Sequence, residues 1–338
     1  MRHHPTRRAA LALAGAVLAA PPLHAQGTLP GTSPGTSPGP WPEAPLRIIV
    51  PFAPGGSTDA VARLVAPGLA QRLGQPVVVE NRSGAAGALG TDAVAKARPD
   101  GLTWLLTFDS HAVLPALLPS LPFDLQRDLA PVMLIGGAPY VLATRPDRPY
   151  RGLGDLVAAA RARPDALSYG STGNGTIGHL TMILLQARAG VSLPHVAYRG
   201  GGPAVTDTVA GHLEAMIGSA ALLAPQIAGG TLRALAQFGP ARLPALAAVP
   251  TAEDAGFPGL LAEAWWGVLA PAGTPGPIIG RMNAALRETL GEPRLRQQME
   301  EAQQARLVLS DPEGLRVFLD RQVAVWGRVV RENGIRAD

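Results

Sequence analysis

The chain has 338 residues, of which 47% are hydrophobic and only 16% charged, which excludes an intrinsically disordered protein and allows two domains. It contains no cysteine, which excludes a disulfide framework, a thiolate metal site and a cysteine nucleophile. The net charge of +4 includes three arginines in a segment that we expect to be removed. No basic run remains beyond them, so we predict no nucleic-acid partner.

The first 25 residues have the pattern of an export signal. Three arginines form a basic start, and residues 9–20 are an apolar run that is too short to span a bilayer. We predict that residues 1–25 are a signal peptide cleaved near Ala25 and that the mature protein is periplasmic. An uncleaved anchor is the alternative, and Arg7-Arg8 leaves Sec and twin-arginine export both open.

A spacer precedes a regular alternation of strands and helices. Residues 26–44 are rich in Gly, Pro, Ser and Thr and have almost nothing to bury, which predicts a disordered linker. After it, apolar runs alternate with stretches of helical spacing and predict an α/β fold with parallel sheets, whose ligands bind at the carboxyl ends of strands. The strands are predicted at residues 46–51, 76–80, 103–107, 167–170, 194–198, 214–217 and 233–236, and a mainly helical end at 275–333.

Two stretches mark predicted domain boundaries. Residues 145–149 contain two prolines, and residues 265–271 have the pattern of an apolar strand that returns the chain to the first domain. We therefore predict a discontinuous lobe 1, residues 45–146 plus 267–338, and an inserted lobe 2, residues 147–266. A cleft between two such lobes can close by hinge motion.

The loop between the first predicted strand and the first predicted helix has the strongest functional pattern. It contains two prolines and two adjacent glycines, and small polar residues follow where the helix begins. Such a turn exposes backbone N–H groups at the positive end of a helix dipole, which favours an anion, and it contains no obvious catalytic group. The predicted ligand-binding residues here are Phe52, Pro54, Gly55, Gly56, Ser57, Thr58 and Asp59.

A second strand-to-helix loop, at residues 169–176, has the same character. Its glycines expose the backbone, and its Ser, Thr and Asn side chains are neutral donors. We predict that the two loops hold one ligand from opposite sides, with a flexible surface loop as the alternative. The predicted ligand-binding residues of this part are Ser171, Thr172, Gly173, Asn174 and His179.

Polar residues at two further strand ends complete the predicted site. Tyr198 and Arg199 precede three glycines, and Arg199 is either a bidentate carboxylate ligand or a surface ion-pair partner. Ser110 and His111 follow the third strand, and we predict that they shape the ligand site. A secreted hydrolase that uses Ser110 or Ser171 with His111 or His179 is the alternative, although neither serine lies in a Gly-x-Ser-x-Gly motif.

The sequence predicts no cofactor and no metal site. The glycine-rich residues 84–90 fit neither the dinucleotide fingerprint nor the P-loop, and we predict a tight turn and helix start there. His111, His179, His195 and His212 form no helical metal-binding pair.

Taken in order, these segments resemble the periplasmic substrate-binding receptors of tripartite tricarboxylate transporters, also called Bug-type receptors. The resemblance runs from about residue 45 to residue 334. It rests on VPFAPGGSTD at 50–59, GQPVVVENR at 74–82, PDG at 99–101, LPFD at 121–124, DLAP at 128–131, YGSTGNGTIGH at 169–179, HVAYRGGGPA at 195–204, PT at 250–251, GFPG at 256–259 and APAGTP at 270–275.

The resemblance implies a type II periplasmic binding fold, with two Rossmann-like lobes joined by two crossover strands and a ligand cleft between them. It implies a monomeric, non-enzymatic receptor that captures a small mono- or dicarboxylate for the membrane permease subunits of a tripartite transporter. A sensory partner of a membrane signalling protein is the alternative. Ile183 and Gly218 lie where the family usually has acidic residues, which argues against an ammonium-bearing ligand.

Overall fold

The structure, a computed structural model, describes residues 41–118, 120–198 and 200–336. The predicted signal peptide, residues 26–40 of the predicted linker, and Arg199 lie outside these residues. Within the described ranges, no helix has the length and apolar character that crossing a membrane requires.

Strands and helices alternate along the described chain. The strands are β1 (Leu46–Val50), β2 (Val77–Asn81), β3 (Thr103–Phe108), β4 (Leu129–Thr144), β5 (Tyr169–Ser171), β6 (His195–Ala197), β7 (Ala215–Ser219), β8 (Arg233–Gln237), β9 (Glu263–Pro271) and β10 (Arg306–Leu307). The helices are α1 (Ser57–Leu73), α2 (Ala88–Ala95), α3 (Leu114–Leu117), α4 (Leu153–Ala162), α5 (Ile177–Ala189), α6 (Gly201–Ala210), α7 (Ala220–Ala228), α8 (Gly276–Gly291), α9 (Pro293–Ala302) and α10 (Pro312–Glu332). This alternation confirms the predicted α/β class.

The strands form one curled sheet in the order β2-β1-β3-β9-β4-β7-β5-β6, with β8 and β10 also paired to β4. The first half of the sheet contains parallel β1, β2 and β3, and the second half contains parallel β5, β6 and β7. The antiparallel strands β4 and β9 lie between the two parallel groups. The carboxyl ends of both parallel groups carry the two predicted ligand loops.

β4 joins the two halves of the sheet. Up to Pro139 it pairs with β9, and from Tyr140 onward it pairs with β7. The pairing therefore changes partner before the predicted boundary at 146/147, and β9 already belongs to the first half at Glu263, before the predicted boundary at 266/267. The prolines near residue 146 follow the end of this strand and do not mark the change of partner.

Trp41 belongs to the folded domain, and its assignment to the disordered linker is wrong. Its side chain is buried against Trp104, with ring centroids 6.1 Å apart, and its indole N–H donates to the Gly101 carbonyl at 3.3 Å. The Arg281 guanidinium lies 5.7 Å from the centre of its ring. The large apolar area that this ring buries accounts for the place of Trp41 in the folded domain.

Adjacent tryptophans on β9 fill the two sides of the sheet. Trp265 and Trp266 are both 1% exposed, and they belong to different hydrophobic clusters because successive strand residues point to opposite faces. Trp265 meets Phe318 of α10 edge-on, with ring centroids 5.3 Å apart. Both rings are therefore part of the core.

Candidate functional site

The two predicted ligand loops each join a parallel strand to a helix. The first follows β1 and leads into α1, and the second follows β5 and leads into α5. Both helices begin at the carboxyl edge of the sheet, so the backbone N–H groups of their first turns and the positive ends of their dipoles lie at this edge.

Asp59 organises the first loop from inside. Its buried carboxylate accepts hydrogen bonds from the Gly55 N–H at 2.9 Å, from Asn81 Nδ2 at 3.0 Å and from Arg63 Nε at 3.0 Å. The bond from Arg63, helped by those from Gly55 and Asn81, outweighs burial and holds the pKa of Asp59 below its usual range. Gly55 has a φ of +82°, a left-handed conformation that favours glycine. Asp59 therefore shapes this loop.

The Ser57 hydroxyl also has a partner within the protein. It donates to Gln303 Oε1 at 2.5 Å, and Gln303 directly follows α9. Thr58 is buried, whereas Pro54, Gly55 and Gly56 are exposed. Because Gly56 caps α1 without a side-chain bond, the loop presents mainly backbone to an anion.

Aromatic rings lie beside the first loop. Phe52 meets Phe108 edge-on, with ring centroids 6.4 Å apart, and Phe108 lies 5.8 Å from the Trp266 ring. Asn81 Nδ2 also donates to the Phe52 carbonyl at 3.2 Å. Phe52 therefore connects the loop to the end of β3.

Gly90 of α2 lets this helix approach the first loop closely. A Cβ added at Gly90 would lie 2.7 Å from the Arg82 carbonyl oxygen and 2.8 Å from Pro51 Cα, which are both backbone atoms. The predicted helix start near residues 84–90 is confirmed by α2. The missing side chain of Gly90 leaves room for Pro51, which follows β1.

We expect Gly90→Ala to lower the free energy of unfolding by about 2 kcal/mol, because the backbone must move to admit a methyl group. Gly280→Ala in α8 is the matched control: its added Cβ meets no atom within 4 Å, so we expect a gain of about 0.5–1 kcal/mol. Denaturant unfolding measures both, and a Gly90→Ala protein as stable as the parent contradicts the prediction.

The second loop is held by Ser171. Its buried hydroxyl donates to the Gly173 carbonyl at 3.0 Å, accepts from the Gly173 N–H at 3.2 Å and lies 2.7 Å from His195 Nε2. The tautomer of His195 sets which of the two groups donates in this last contact. Thr172 and Gly173 are partly exposed, and Asn174 Nδ2 donates to the Arg336 carbonyl at 2.9 Å.

A stack of rings supports the same loop. His179 stacks on His195 with centroids 3.8 Å apart, and His195 stacks on Tyr169 at 5.0 Å. His179 Nδ1 accepts from the Gly175 N–H at 3.1 Å. His179 thus fixes the turn that precedes α5, and His195 lies within hydrogen-bond distance of the Ser171 hydroxyl.

The Tyr198 side chain points toward α6, the helix that follows it in the chain. Its hydroxyl donates to Asp207 Oδ2 at 2.7 Å, and burial together with this bond raises the pKa of Tyr198 to about 12. The proposed carboxylate contact of Arg199 lies outside the described residues.

Ser110 and His111 lie in a short 3₁₀ helix, Asp109–Val113, directly after β3. His111 is 1% exposed, and burial lowers its pKa to about 3, so the ring is neutral. Among the described residues, neither of its ring nitrogens has a hydrogen-bond partner, nor has the buried Ser110 hydroxyl. The described residues also contain no cluster of three His, Asp or Glu side chains that would hold a metal ion.

Sequence reasoning missed the residues that connect these elements. Asp109 accepts a 2.8 Å hydrogen bond from the Tyr140 hydroxyl, and burial raises the pKa of Asp109 to about 7. Asp109 directly follows β3 and precedes Ser110, and this position at the carboxyl end of a strand could have marked it as a site residue. Gln303 and Asn81 had no comparable local signal.

Gly218 and Ile183, which depart from the pattern of the family that the sequence resembles, lie in different parts of the fold. Gly218 is in β7, where an added Cβ would lie 3.0 Å from the Leu222 side chain. Ile183 is six residues beyond the start of α5 and lines a surface hollow together with Ala160 and Asn333. Ile183 therefore lies away from the loop and says little about the ligand.

Comparisons with known proteins agree with this architecture. The family model described as tripartite tricarboxylate transporter family receptor matches residues 61–335. Protein BugT of Bordetella pertussis is 40% identical over 298 residues, which cover 88% of this chain and 91% of BugT.

Two similar solved structures come from Rhodopseudomonas palustris. One, with adipate, has a TM-score of 0.78 and 31% identity, and the match covers 87% of this chain and 99% of the other. The second, MatC with bound malate, has a TM-score of 0.75 and 31% identity, with 86% and 100% coverage. Together with periplasmic binding proteins of the same topology, they confirm the expected two-lobe binding fold.

Proposed function

Since the chain belongs to the tripartite tricarboxylate transporter receptor family, we propose that it captures a small mono- or dicarboxylate between the loops after β1 and β5. The bound acid is then delivered to the membrane permease subunits of the transporter. A membrane sensor is the alternative recipient. The receptor acts as a periplasmic monomer without chemical turnover.

The observation that carries the proposal is the pair of helix-start loops at one edge of the sheet. Neither residues 51–58 nor residues 171–179 contain a lysine or arginine, and both Ser57 and Ser171 use their hydroxyl protons within the protein. Such loops hold an anion through backbone N–H groups, helix dipoles and ordered water, which suits a carboxylate. The adipate and malate bound by the two R. palustris relatives support a dicarboxylate.

A thermal-shift panel of mono-, di- and tricarboxylates tests the proposal. At a concentration one hundredfold above Kd, a ligand adds about 2.7 kcal/mol to the free energy of unfolding. At roughly 2–4 °C per kcal/mol, Tm rises by about 5–10 °C. Alcohols and amines of matched chain length serve as controls. A flat response to every acid in the panel rules out the carboxylate assignment.

Native mass spectrometry of the freshly purified protein complements the panel. We expect one acid to remain bound, with a mass that identifies it, and we expect the same acid to give a large thermal shift. Recovery of the acid unchanged after prolonged incubation is the outcome expected of a receptor, whereas turnover of an activated ester that is lost in Ser110→Ala or Ser171→Ala supports the hydrolase alternative.

A further inference from the structure

Tyr140 occupies the point where β4 passes from one half of the sheet to the other. Pro139 is the last β4 residue paired with β9, opposite Glu263, and Tyr140 is the first paired with β7, opposite Ser219. Its side chain is buried. Tyr140 therefore lies at the junction between the two halves of the sheet.

The Tyr140 hydroxyl reaches back to the first half. It donates to Asp109 Oδ2 at 2.8 Å, and Asp109 directly follows β3 at the edge that carries the first ligand loop. Burial raises the pKa of the Tyr140 phenol well above its usual value, so the phenol keeps the proton that it donates.

The Tyr140 ring supports α5 in the second half. Gly178 is the second residue of α5, and a Cβ added there would lie 3.1 Å from Tyr140 Cε1 and 3.3 Å from Ile217 Cγ2. The Gly178 N–H faces the Tyr140 hydroxyl and favours its ionised form. The first turn of α5 therefore packs against the Tyr140 ring. The N–H groups of this turn directly follow the second ligand loop.

We propose that Tyr140 is a positioning residue for the ligand site, which it serves by bonding Asp109 and packing against Gly178 so that α5 is held at a fixed distance from the first loop. The inference rests on the proposed carboxylate function and names the residue that sets its geometry. A helix dipole acts on an anion only within the first turn, so small shifts of α5 weaken the contact.

Tyr140→Phe keeps the ring and removes the hydroxyl, and it is the first test. We expect the Kd of the best acid from the panel to rise about five- to tenfold, as for loss of one buried hydrogen bond. Tyr150→Phe is the matched control, because the Tyr150 hydroxyl bonds Glu214 elsewhere, and we expect its Kd within twofold of the parent.

Asp109 provides the rescue test. At pH 6, where a carboxyl group of pKa about 7 is mostly protonated, asparagine keeps the acceptor and resembles the acid form. We expect Asp109→Asn to bind within about twofold of the parent, and Asp109→Leu to lose as much as Tyr140→Phe. The double variant of Tyr140→Phe and Asp109→Leu should lose no more than either alone.

Hydrogen exchange of the ligand-free protein gives a readout that does not depend on the acid. We expect Tyr140→Phe and Asp109→Leu to speed amide exchange at residues 180–182, whose N–H groups bond the carbonyls at the start of α5, about tenfold and to leave β2 unchanged, while Asp109→Asn leaves residues 180–182 as in the parent. Unchanged exchange at residues 180–182 in Tyr140→Phe overturns the positioning role. Equal losses in Asp109→Asn and Asp109→Leu overturn it as well. A parent protein that binds no acid refutes the proposed function, and the exchange result still decides the role of Tyr140.

Discussion

Asp59→Ala is expected to lower the free energy of unfolding by about 3 kcal/mol and to weaken ligand binding in the same step. The change removes the acceptor of the Gly55 N–H and one of the two acceptors of Asn81 Nδ2, and a hydrogen bond to a charged group contributes about 1.5–3 kcal/mol. Arg63 adds less, because its side chain is half exposed and water replaces the lost carboxylate. The loop after β1 then loses the bond that fixes Gly55.

Two control variants separate this effect from the loss of a surface charge. Asp59→Asn keeps one acceptor oxygen and should cost about half as much as Asp59→Ala. Glu300→Ala removes an exposed helix ion pair with Arg296, so we expect a change below about 0.5 kcal/mol. Denaturant unfolding at pH 7 measures all three, and a cost below 1 kcal/mol for Asp59→Ala would mean that the loop is held by other contacts.

The pH also affects Asp59, in the acid range. Because its pKa lies below the usual value in the folded protein, its contribution to stability is present above about pH 4 and is lost as the pH falls through the folded pKa. Asp59→Asn should therefore remove part of the acid sensitivity.

Stability should fall by about 4 kcal/mol between pH 4 and pH 7 because of Asp109 alone. Burial raises its pKa from 3.8 in the unfolded chain to about 7 in the fold. In that interval the folded protein keeps a proton that the unfolded chain has lost, so stability falls by about 1.4 kcal/mol per pH unit. The contribution is complete below about pH 4 and is lost above about pH 7.

Asp109→Asn tests the effect directly. The variant cannot titrate, so its stability relative to the parent should rise by up to about 4 kcal/mol as the pH goes from 4 to 8. Asp254→Asn is the control, since the Thr251 N–H and Arg242 hold the pKa of Asp254 below its usual value and outside this interval. Parallel pH curves for the parent and Asp109→Asn would exclude a raised Asp109 pKa.

Local signals were enough to place the two loops but not the strand between the halves of the sheet. Glycines, helix-start residues and short apolar runs lie within a few positions of one another, and the loops at residues 51–59 and 169–176 followed from them. β4 was not predicted, because Pro131 and Pro139 interrupt its apolar pattern. The register of β4 shifts just after Pro131, where the ladder accommodates the missing N–H.

The polar contacts of the site depend on the tertiary fold. Ser57 and Gln303 are 246 positions apart, and Tyr140 and Asp109 are 31 apart, so no spacing rule connects either pair. The serines were predicted as ligand donors because small hydroxyls after glycines favour that role. In the fold both hydroxyls bond within the protein, Ser57 to Gln303 and Ser171 to Gly173, and their contact with a ligand stays a prediction.

The central place of β9 constrains when the chain can fold. This strand lies between β3 and β4, yet its residues follow them by more than a hundred positions. Until residue 271 has been synthesised, β3 and β4 face an unfilled gap in the sheet, and Trp104 and Met133 lack the core that covers them. The pairing that joins β3 to β4 through β9 is therefore a late, non-local step, which only the last quarter of the polypeptide completes.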